Sequence, residues 1–273
     1  MSAGSGSGES LVAQLLRWVD SGARAHAPYS HHPVFAALRL VGITGELLPP
    51  VFGCNIENAS YVGCCAERTA LANAMTVAGA DARLLEVAVL TPAPSGAPCG
   101  TCRQAIHERS SDVTVAFRWD GSWVSHPIAD LLPHPPDVTM GEWALDVQAD
   151  AELLAYASKQ AALWGVDQAA AVRSGSGATY LGVAVGYRSA PAVHPLENAL
   201  FAAVNSEGPT VRLTAAALYG NGCCTAPSGG ARQTLVEFAR DLPVSFLEQG
   251  AVVTMPADAL LPFSFALEPE SRR

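Results

Sequence analysis

Three cysteines and one glutamate between residues 65 and 104 have the types and spacing to hold and use a metal ion. Cys65 and Glu67 lie in the run C-A-E-R, and Cys99 and Cys102 lie in the run P-C-G-T-C further along. Three thiolates fill three positions of a tetrahedral zinc site and leave the fourth open for water. Glu67 follows the first thiol by two residues, which favours a general acid and base beside that water over a fourth ligand.

Each run has a simpler interpretation when taken alone. P-C-G-T-C could be a redox dithiol or half of a zinc ribbon, and C-A-E-R could be an ordinary helix start. A structural zinc site takes four protein ligands, and the sequence offers no fourth ligand at a suitable spacing. The combination therefore predicts a catalytic site with one Zn²⁺ per chain.

Length and composition limit the classes of protein to consider. The 273 residues are enough for one large or two modest domains, and 49% of them are hydrophobic, as in a compact globular protein. The net charge of −9 argues against a nucleic-acid partner, because affinity for phosphates comes from Lys and Arg. No apolar run approaches the roughly 20 residues of a membrane span, so no membrane partner is expected. The seven cysteines make a poor disulfide framework and favour a reducing cytoplasm.

Hydrophobic periodicity predicts alternating helices and strands in the first half of the chain, and therefore an α/β fold. Helices are predicted at 9–27, from Cys65 to 78 and at 100–108, and strands at 34–41, 51–56, 84–90, 113–118 and 123–127. The thiols then lie at helix N-termini, where the helix dipole stabilises ionised sulfur. Arg68 is expected to donate to the thiolates and offset their charge, with a surface ion pair as the alternative.

The first 135 residues or so resemble the cytidine deaminases that use three Cys ligands. The resemblance runs through 27–30, 53–61, 65–71, 98–104 and 131–133. It implies a three-layer α/β/α fold in which Cys65, Cys99 and Cys102 bind zinc while Glu67 shuttles protons. It also implies that Asn55 and Glu57 hold the ribose 3′-hydroxyl, with Ala66 among the substrate-binding residues; without the resemblance, Asn55 and Glu57 would be interpreted as a strand-end cap.

The chain departs from the family pattern near the expected pocket. After Tyr-Ser-x the family has an aromatic residue and then Pro-Val-Gly, whereas this chain has His32-Pro-Val-Phe35. His32 takes the place of a Phe that lines the nucleoside pocket. The expected activity is zinc-dependent hydrolytic deamination of cytidine or a cytidine-like nucleoside, with a specialised (antibiotic or modified) nucleoside as the alternative. A nucleic-acid editing deaminase and a non-catalytic zinc protein are more remote alternatives.

The second half of the chain repeats the motifs of the first at a separation of 129 or 130 residues. The matched runs are 64–70 with 194–200, 98–104 with 227–233, and 131–133 with 260–262. This alignment places Pro195, Ser228 and Ala231 at the positions of the three thiols and retains the glutamate as Glu197. The repeat predicts a tandem duplication whose second copy lacks the zinc ligands.

The predicted organisation is a flexible tail at 1–8, a catalytic domain at 9–135, a linker at 136–148 and a degenerate domain at 149–273. We call the two domains the first and the second copy. Single-domain relatives form tetramers, so the resemblance implies a homodimer with a pseudo-tetrameric arrangement. The other expected partner is a small nucleoside substrate.

Overall fold

The computed structural model describes residues 9–57, 64–78, 81–133, 150–184, 193–208, 210–220 and 225–264. The predicted tail at 1–8, the predicted linker at 136–148, the pair Cys223 and Cys224, and the chain beyond 264 lie outside the described residues. In chain order the elements are α1 (Leu11–Asp20), β1 (Phe35–Val41), β2 (Val51–Cys54), α2 (Ala66–Ala78), β3 (Arg83–Leu90), α3 (Gly100–Arg109), β4 (Thr114–Trp119), β5 (Ser122–Pro127), α4 (Ile128–Leu131), α5 (Ala151–Trp164), β6 (Gln168–Ser174), β7 (Thr179–Val183), α6 (Pro195–Glu207), β8 (Leu213–Gly220), α7 (Gly229–Phe238), β9 (Pro243–Glu248), β10 (Ala251–Pro256) and α8 (Ala257–Leu260).

The strands form two five-stranded sheets with the same order of strands. The first runs β2-β1-β3-β4-β5, and the second, read from the corresponding edge, runs β7-β6-β8-β9-β10. In each sheet the central pair, β3 with β4 or β8 with β9, is parallel and the other pairs are antiparallel. A parallel pair needs a crossover connection, which α3 and α7 supply. The predicted α/β class and the presence of the fold in two copies are confirmed.

The first sheet has helices on both faces. Phe35 and Ala37 of β1 pack in one cluster with the buried side of α1, where Trp18 stacks on Phe52 with ring centroids 4.8 Å apart. Gly53 of β2 faces the other way, because a Cβ there would lie 2.4 Å from the backbone nitrogen of Ala70 in α2. A glycine at this point lets α2 approach the strand closely.

The second sheet is covered in the same manner. On one face Leu153 and Ala157 of α5 pack on Ala171 and Ala217. On the other face α6 and α7 contribute to the larger cluster that surrounds Phe246. Each sheet thus lies between helical layers, which agrees with the predicted three-layer arrangement.

Helix α1 is shorter than the predicted 9–27. Ser10 caps its start by accepting a hydrogen bond from Ala13. The helix ends at Asp20, and Gly22 follows with φ +102°, a backbone conformation that glycine adopts readily and that commonly ends a helix. The apolar pattern that continues to Ala23 concealed this stop signal.

Contacts divide the described residues into two units. One unit contains the described residues up to 98 together with 105–130, and the other contains 99–104 together with the described residues from 131 onward. The first turn of α3 therefore belongs to the unit that holds the second sheet. Within the described part of the chain, no helix is long and apolar enough to cross a membrane.

Candidate active site

The three thiols of the predicted site are close together. Cys65 immediately precedes α2, Cys99 immediately precedes α3, and Cys102 lies in the first turn of α3. The three sulfur atoms all lie within 4.8 Å of one another, and among the described residues these cysteines form the group of three or more potential ligands that could hold a metal ion. Four tetrahedral ligands at the Zn–S distance of about 2.3 Å place sulfurs roughly 3.8 Å apart, so the thiols fit a zinc ion.

The local structure explains why these thiols suit a cation. Both helices present their N-termini to the site, so the dipoles and free N–H groups favour thiolates over thiols. Cys102 is buried, while Cys65 and Cys99 are half-buried. Three thiolates in such a setting need a counter-charge, which a divalent metal supplies.

Glu67 lies in the first turn of α2, two residues after Cys65, and only 3% of it is exposed. A carboxylate is rarely buried without a partner or a function. Its place on the helix that begins just after Cys65 is the one expected of a group that moves protons beside a metal.

Arg68 follows Glu67 and turns back toward the start of α2. Its Nη2 lies 4.0 Å from the Cys65 sulfur, a long hydrogen bond to sulfur. A guanidinium at this distance reduces the negative charge of a thiolate and stabilises its ionised form. The contact supports the predicted role of Arg68 over the surface ion pair, although the role itself remains a prediction.

Asn55, just beyond β2, holds the segment that precedes β1. Its Oδ1 accepts a hydrogen bond from the backbone N–H of Val34 at 2.8 Å, and its Nδ2 donates to the carbonyl of His32 at 3.0 Å. These bonds are those of the strand-end cap considered as the alternative. A side-chain amide has two donor protons and two acceptor lone pairs, so capping uses half of this capacity and is compatible with substrate binding.

Glu57 holds the neighbouring turn. It accepts hydrogen bonds from the backbone N–H groups of Tyr29 and Ser30, at 2.9 and 3.1 Å, and from the Ser30 hydroxyl. Partial desolvation raises the pKa of Glu57, but these hydrogen bonds together bring it below its ordinary value. The carboxylate is therefore ionised at neutral pH.

His32 lies in the segment that Asn55 and Glu57 hold. Its backbone N–H donates to the Ser30 hydroxyl oxygen at 3.1 Å. Burial lowers the pKa of His32, and the charge of Glu57 opposes that effect only in part. The neutral imidazole is thus favoured at neutral pH. Ala66, the remaining predicted substrate-binding residue, is fully buried, and its carbonyl faces Gly53 of β2.

The structure shifts one of the sequence alignments between the two copies by one residue. Helices α2 and α6 have the same length, and Gly182 meets the backbone of Pro195 and Ala199 as Gly53 meets that of Ala66 and Ala70. This geometry places His194 at the position of Cys65 and Glu197 at the position of Arg68. The sequence alignment paired Glu197 with Glu67, and this pairing is wrong. The counterpart of Glu67 is Leu196.

The remaining thiol positions agree with the sequence alignment. Helices α3 and α7 also match in length and start, at Gly100 and Gly229, so Ser228 and Ala231 replace Cys99 and Cys102. The sequence signal that could have placed His194 correctly is the pair Gly53 and Gly182, whose spacing equals that of the two P-x-G-x-x-R-Q runs.

Side chains of the second copy cap the helices where the first copy has thiols. His194 Nδ1 accepts a hydrogen bond from Leu196, and Glu197 accepts one from the backbone N–H of His194 and one from the hydroxyl of Thr234. Ser228 caps α7 through Ala231. Burial lowers the pKa of His194 to about 4, so its imidazole is neutral. The start of α6 is a self-satisfied capping box.

Comparison with known proteins gives a consistent result. Residues 15–117 match the family described as the cytidine and deoxycytidylate deaminase zinc-binding region. A cytidine deaminase of Mycoplasma pneumoniae is 48% identical over 85 residues, which are 30% of this chain and 64% of that protein. A cytidine deaminase of Mycoplasma genitalium is 35% identical over 127 residues, which are 45% of this chain and 91% of that protein.

Among solved structures, the cytidine deaminase of Burkholderia pseudomallei matches with 35% identity, 46% of this chain and 95% of that chain covered, and a TM-score of 0.38. The match with the Mycoplasma genitalium protein extends over nearly the whole of that relative. The chain belongs to the cytidine deaminase family of zinc-dependent hydrolases.

Proposed function

We propose that the first copy hydrolyses cytidine, or a closely similar free nucleoside, to the uridine counterpart with release of ammonia. The observation that carries the proposal is the convergence of three thiols within 4.8 Å of one another, on helices of which one also bears the buried Glu67. In this proposal Cys65, Cys99 and Cys102 hold one zinc ion. Zinc held by these three thiolates would supply Lewis-acid activation of a water molecule, which adds at C4 of the pyrimidine ring.

Glu67 moves the protons of the reaction. Its carboxylate takes a proton from the attacking water and delivers it to the ring nitrogen N3, then assists the proton transfer that lets the amino group leave as ammonia. Because one water enters and one ammonia leaves, the carboxylate returns to its starting state. Burial of Glu67 keeps bulk water from competing for these protons.

Asn55 and Glu57 hold the sugar in this proposal. Both are fixed by backbone groups of the segment 29–34, so they are preorganised before substrate arrives. The ionised Glu57 accepts a hydrogen bond from a sugar hydroxyl and repels a phosphate at the same end of the sugar. This charge favours a free nucleoside over a nucleotide.

Three finer proposals concern the whole protein. The equal strand order of the two sheets supports a tandem duplication, and the presence of His194, Ser228 and Ala231 at the positions of the three thiols supports an inactive second copy. A fused pair of copies favours a homodimer with four similar lobes, and reduced thiols favour a cytoplasmic location. Sedimentation velocity of the purified protein tests the dimer, which a monomer at micromolar concentration would contradict.

A screen for ammonia release tests the activity. We expect wild-type protein to deaminate cytidine and deoxycytidine, and to leave cytosine and CMP nearly unchanged. Glu67→Gln should retain zinc but lose turnover by roughly 10³-fold or more, because an amide cannot shuttle protons. Zinc-loaded wild-type protein that releases no ammonia from either nucleoside would refute the proposal. Ammonia release only from a modified cytidine would indicate a specialised nucleoside as the substrate, selected by the segment around His32.

A further inference from the structure

The first turns of α3 and α7, both inside the second unit, cross with their backbones in contact. A Cβ on Gly100 would lie 1.8 Å from the carbonyl oxygen of Gly229, and a Cβ on Gly229 would lie 2.0 Å from that of Gly100. Such distances admit only glycine at both positions. The turn that carries Cys99 and Cys102 therefore rests directly on the matching turn of the second copy.

Two glutamines reinforce this crossing in a reciprocal way. Gln233 Oε1 accepts a hydrogen bond from the backbone N–H of Gly100 at 3.2 Å, and Gln104 Oε1 accepts one from Gly229 at 3.3 Å. Each N–H belongs to the first turn of a helix, where no intrahelical acceptor exists. The two bonds are alike in type and length, but only one of them anchors a turn with thiols.

We infer that Gln233, a residue of the second copy, is a positioning residue for the zinc site of the first copy. The inference rests on the proposed zinc-binding role of the three cysteines. The peptide N–H that Gln233 holds directly follows Cys99 and precedes Cys102 by two residues. Fixing that peptide limits rotation of the turn and keeps both sulfurs in a geometry that suits one metal ion.

The second copy also supplies two of the three carbonyl acceptors of a buried cation in the same turn. Arg103, fully buried, donates to the carbonyls of Leu131 and Pro262 and, at 3.2 Å, to that of Phe263. Arg103 follows Cys102 directly. Gln233 and these carbonyls thus hold the thiol-bearing turn at its start and its centre.

The test measures how fast zinc leaves the full-length, zinc-loaded protein when a colorimetric chelator is in excess. Loss of one hydrogen bond of about 1 kcal/mol predicts that Gln233→Ala releases zinc roughly 2- to 10-fold faster than wild type. Gln104→Ala is the matched control, because it removes the reciprocal bond to the turn that bears Ser228, and its release rate should stay within about 2-fold of wild type. Gln233→Glu keeps an acceptor of the same reach and should restore the wild-type rate.

The outcomes separate this inference from the proposed function. Wild-type protein that neither holds zinc nor deaminates cytidine would remove the proposed function. Wild-type protein that does both, together with a Gln233→Ala variant that releases zinc at the wild-type rate, overturns only the role of Gln233. If Gln233→Ala does not fold, the zinc release rate of Gln233→Glu decides the matter. Zinc release at the wild-type rate by the folded variant supports the role of Gln233. Zinc release faster than wild type, at an unchanged melting temperature, overturns it.

Discussion

The carboxylate of Glu197 accepts a hydrogen bond from the backbone N–H of His194 at 3.0 Å, three residues back along the chain. In the first copy Arg68 reaches back over the same three residues to the sulfur of Cys65. The same helix position thus holds Glu197, which completes a capping box in the second copy, and Arg68, which contacts the Cys65 sulfur in the first copy. At this point the second copy has helix-capping side chains where the first copy has a thiol.

Replacement of Glu197 should therefore affect stability and not turnover. We expect Glu197→Ala to lower the free energy of unfolding by about 1 kcal/mol, the usual value of a lost cap. Urea unfolding followed by circular dichroism measures this change, and ammonia release from cytidine at 25 °C should stay at the wild-type rate. A variant with wild-type stability and reduced turnover would contradict the capping role.

His194 makes stability depend on pH. Its pKa, about 4 in the folded chain because of burial, lies below the ordinary value of 6.5, so the unfolded chain binds the proton first as the pH falls. The contribution of the neutral His194 to the free energy of unfolding is fully present above about pH 7. It is lost between pH 6.5 and 4, by roughly 3 kcal/mol in all. His194→Ser keeps a capping oxygen but has no imidazole to protonate. The melting temperature of wild type should therefore fall relative to that of His194→Ser as the pH is lowered from 7 to 5, and a constant difference would exclude His194 as the cause.

Much of the fold and the metal site follows from local sequence signals. The run C-A-E-R predicts the start of α2, and P-C-G-T-C predicts the start of α3, because each combines a turn with a helix-forming stretch. The alignment of Glu67 with Glu197 was wrong because it matched two residues of the same type, whereas the packing of the helix on the strand sets the true offset between the copies. The approach of Gly182 to Pro195 fixes the offset, and that approach is a tertiary contact.

The crossing of Gly100 with Gly229 was likewise beyond sequence reasoning. Each glycine reads locally as a helix-start residue in a P-x-G run, and neither carries a signal for the partner it meets. Only the assembled fold shows that both need the absence of a Cβ for the same reason.

This crossing predicts different effects for two adjacent glycines. Gly229→Ala would place a methyl group 2.0 Å from a backbone oxygen, whereas Gly230→Ala meets only the Thr101 hydroxyl at 3.4 Å. We expect Gly229→Ala to destabilise the protein by about 1 to 3 kcal/mol or more, while Gly230→Ala is neutral or slightly stabilising in its helix. Differential scanning calorimetry compares the two, and equal melting temperatures would count against the crossing.

Metal content distinguishes the three site cysteines from Cys54, a cysteine outside the site. Elemental analysis of wild type should give one zinc per chain, and Cys102→Ser should give less than about a tenth of that, since the metal loses a thiolate ligand. Cys54→Ala is the matched control: burial raises the pKa of the Cys54 thiol, which disfavours the thiolate, and it should keep full zinc. Two zinc ions per wild-type chain would show that the second copy also binds metal.

Removal of residues 150–273 should abolish activity although every zinc ligand remains. The deletion takes away the carbonyls of Pro262 and Phe263 that accept from the buried Arg103, and with them the Gln233 side chain. The turn that carries Cys99 and Cys102 then loses the contacts that hold its start and its centre. We expect the remaining fragment 1–149 to aggregate or to lose ammonia release, as gel filtration and the cytidine assay would show. A full-length chain cut at a protease site placed within 136–148 is the control and should stay active, because the deleted residues are still present; a monomeric fragment with full activity would show that the second copy is dispensable.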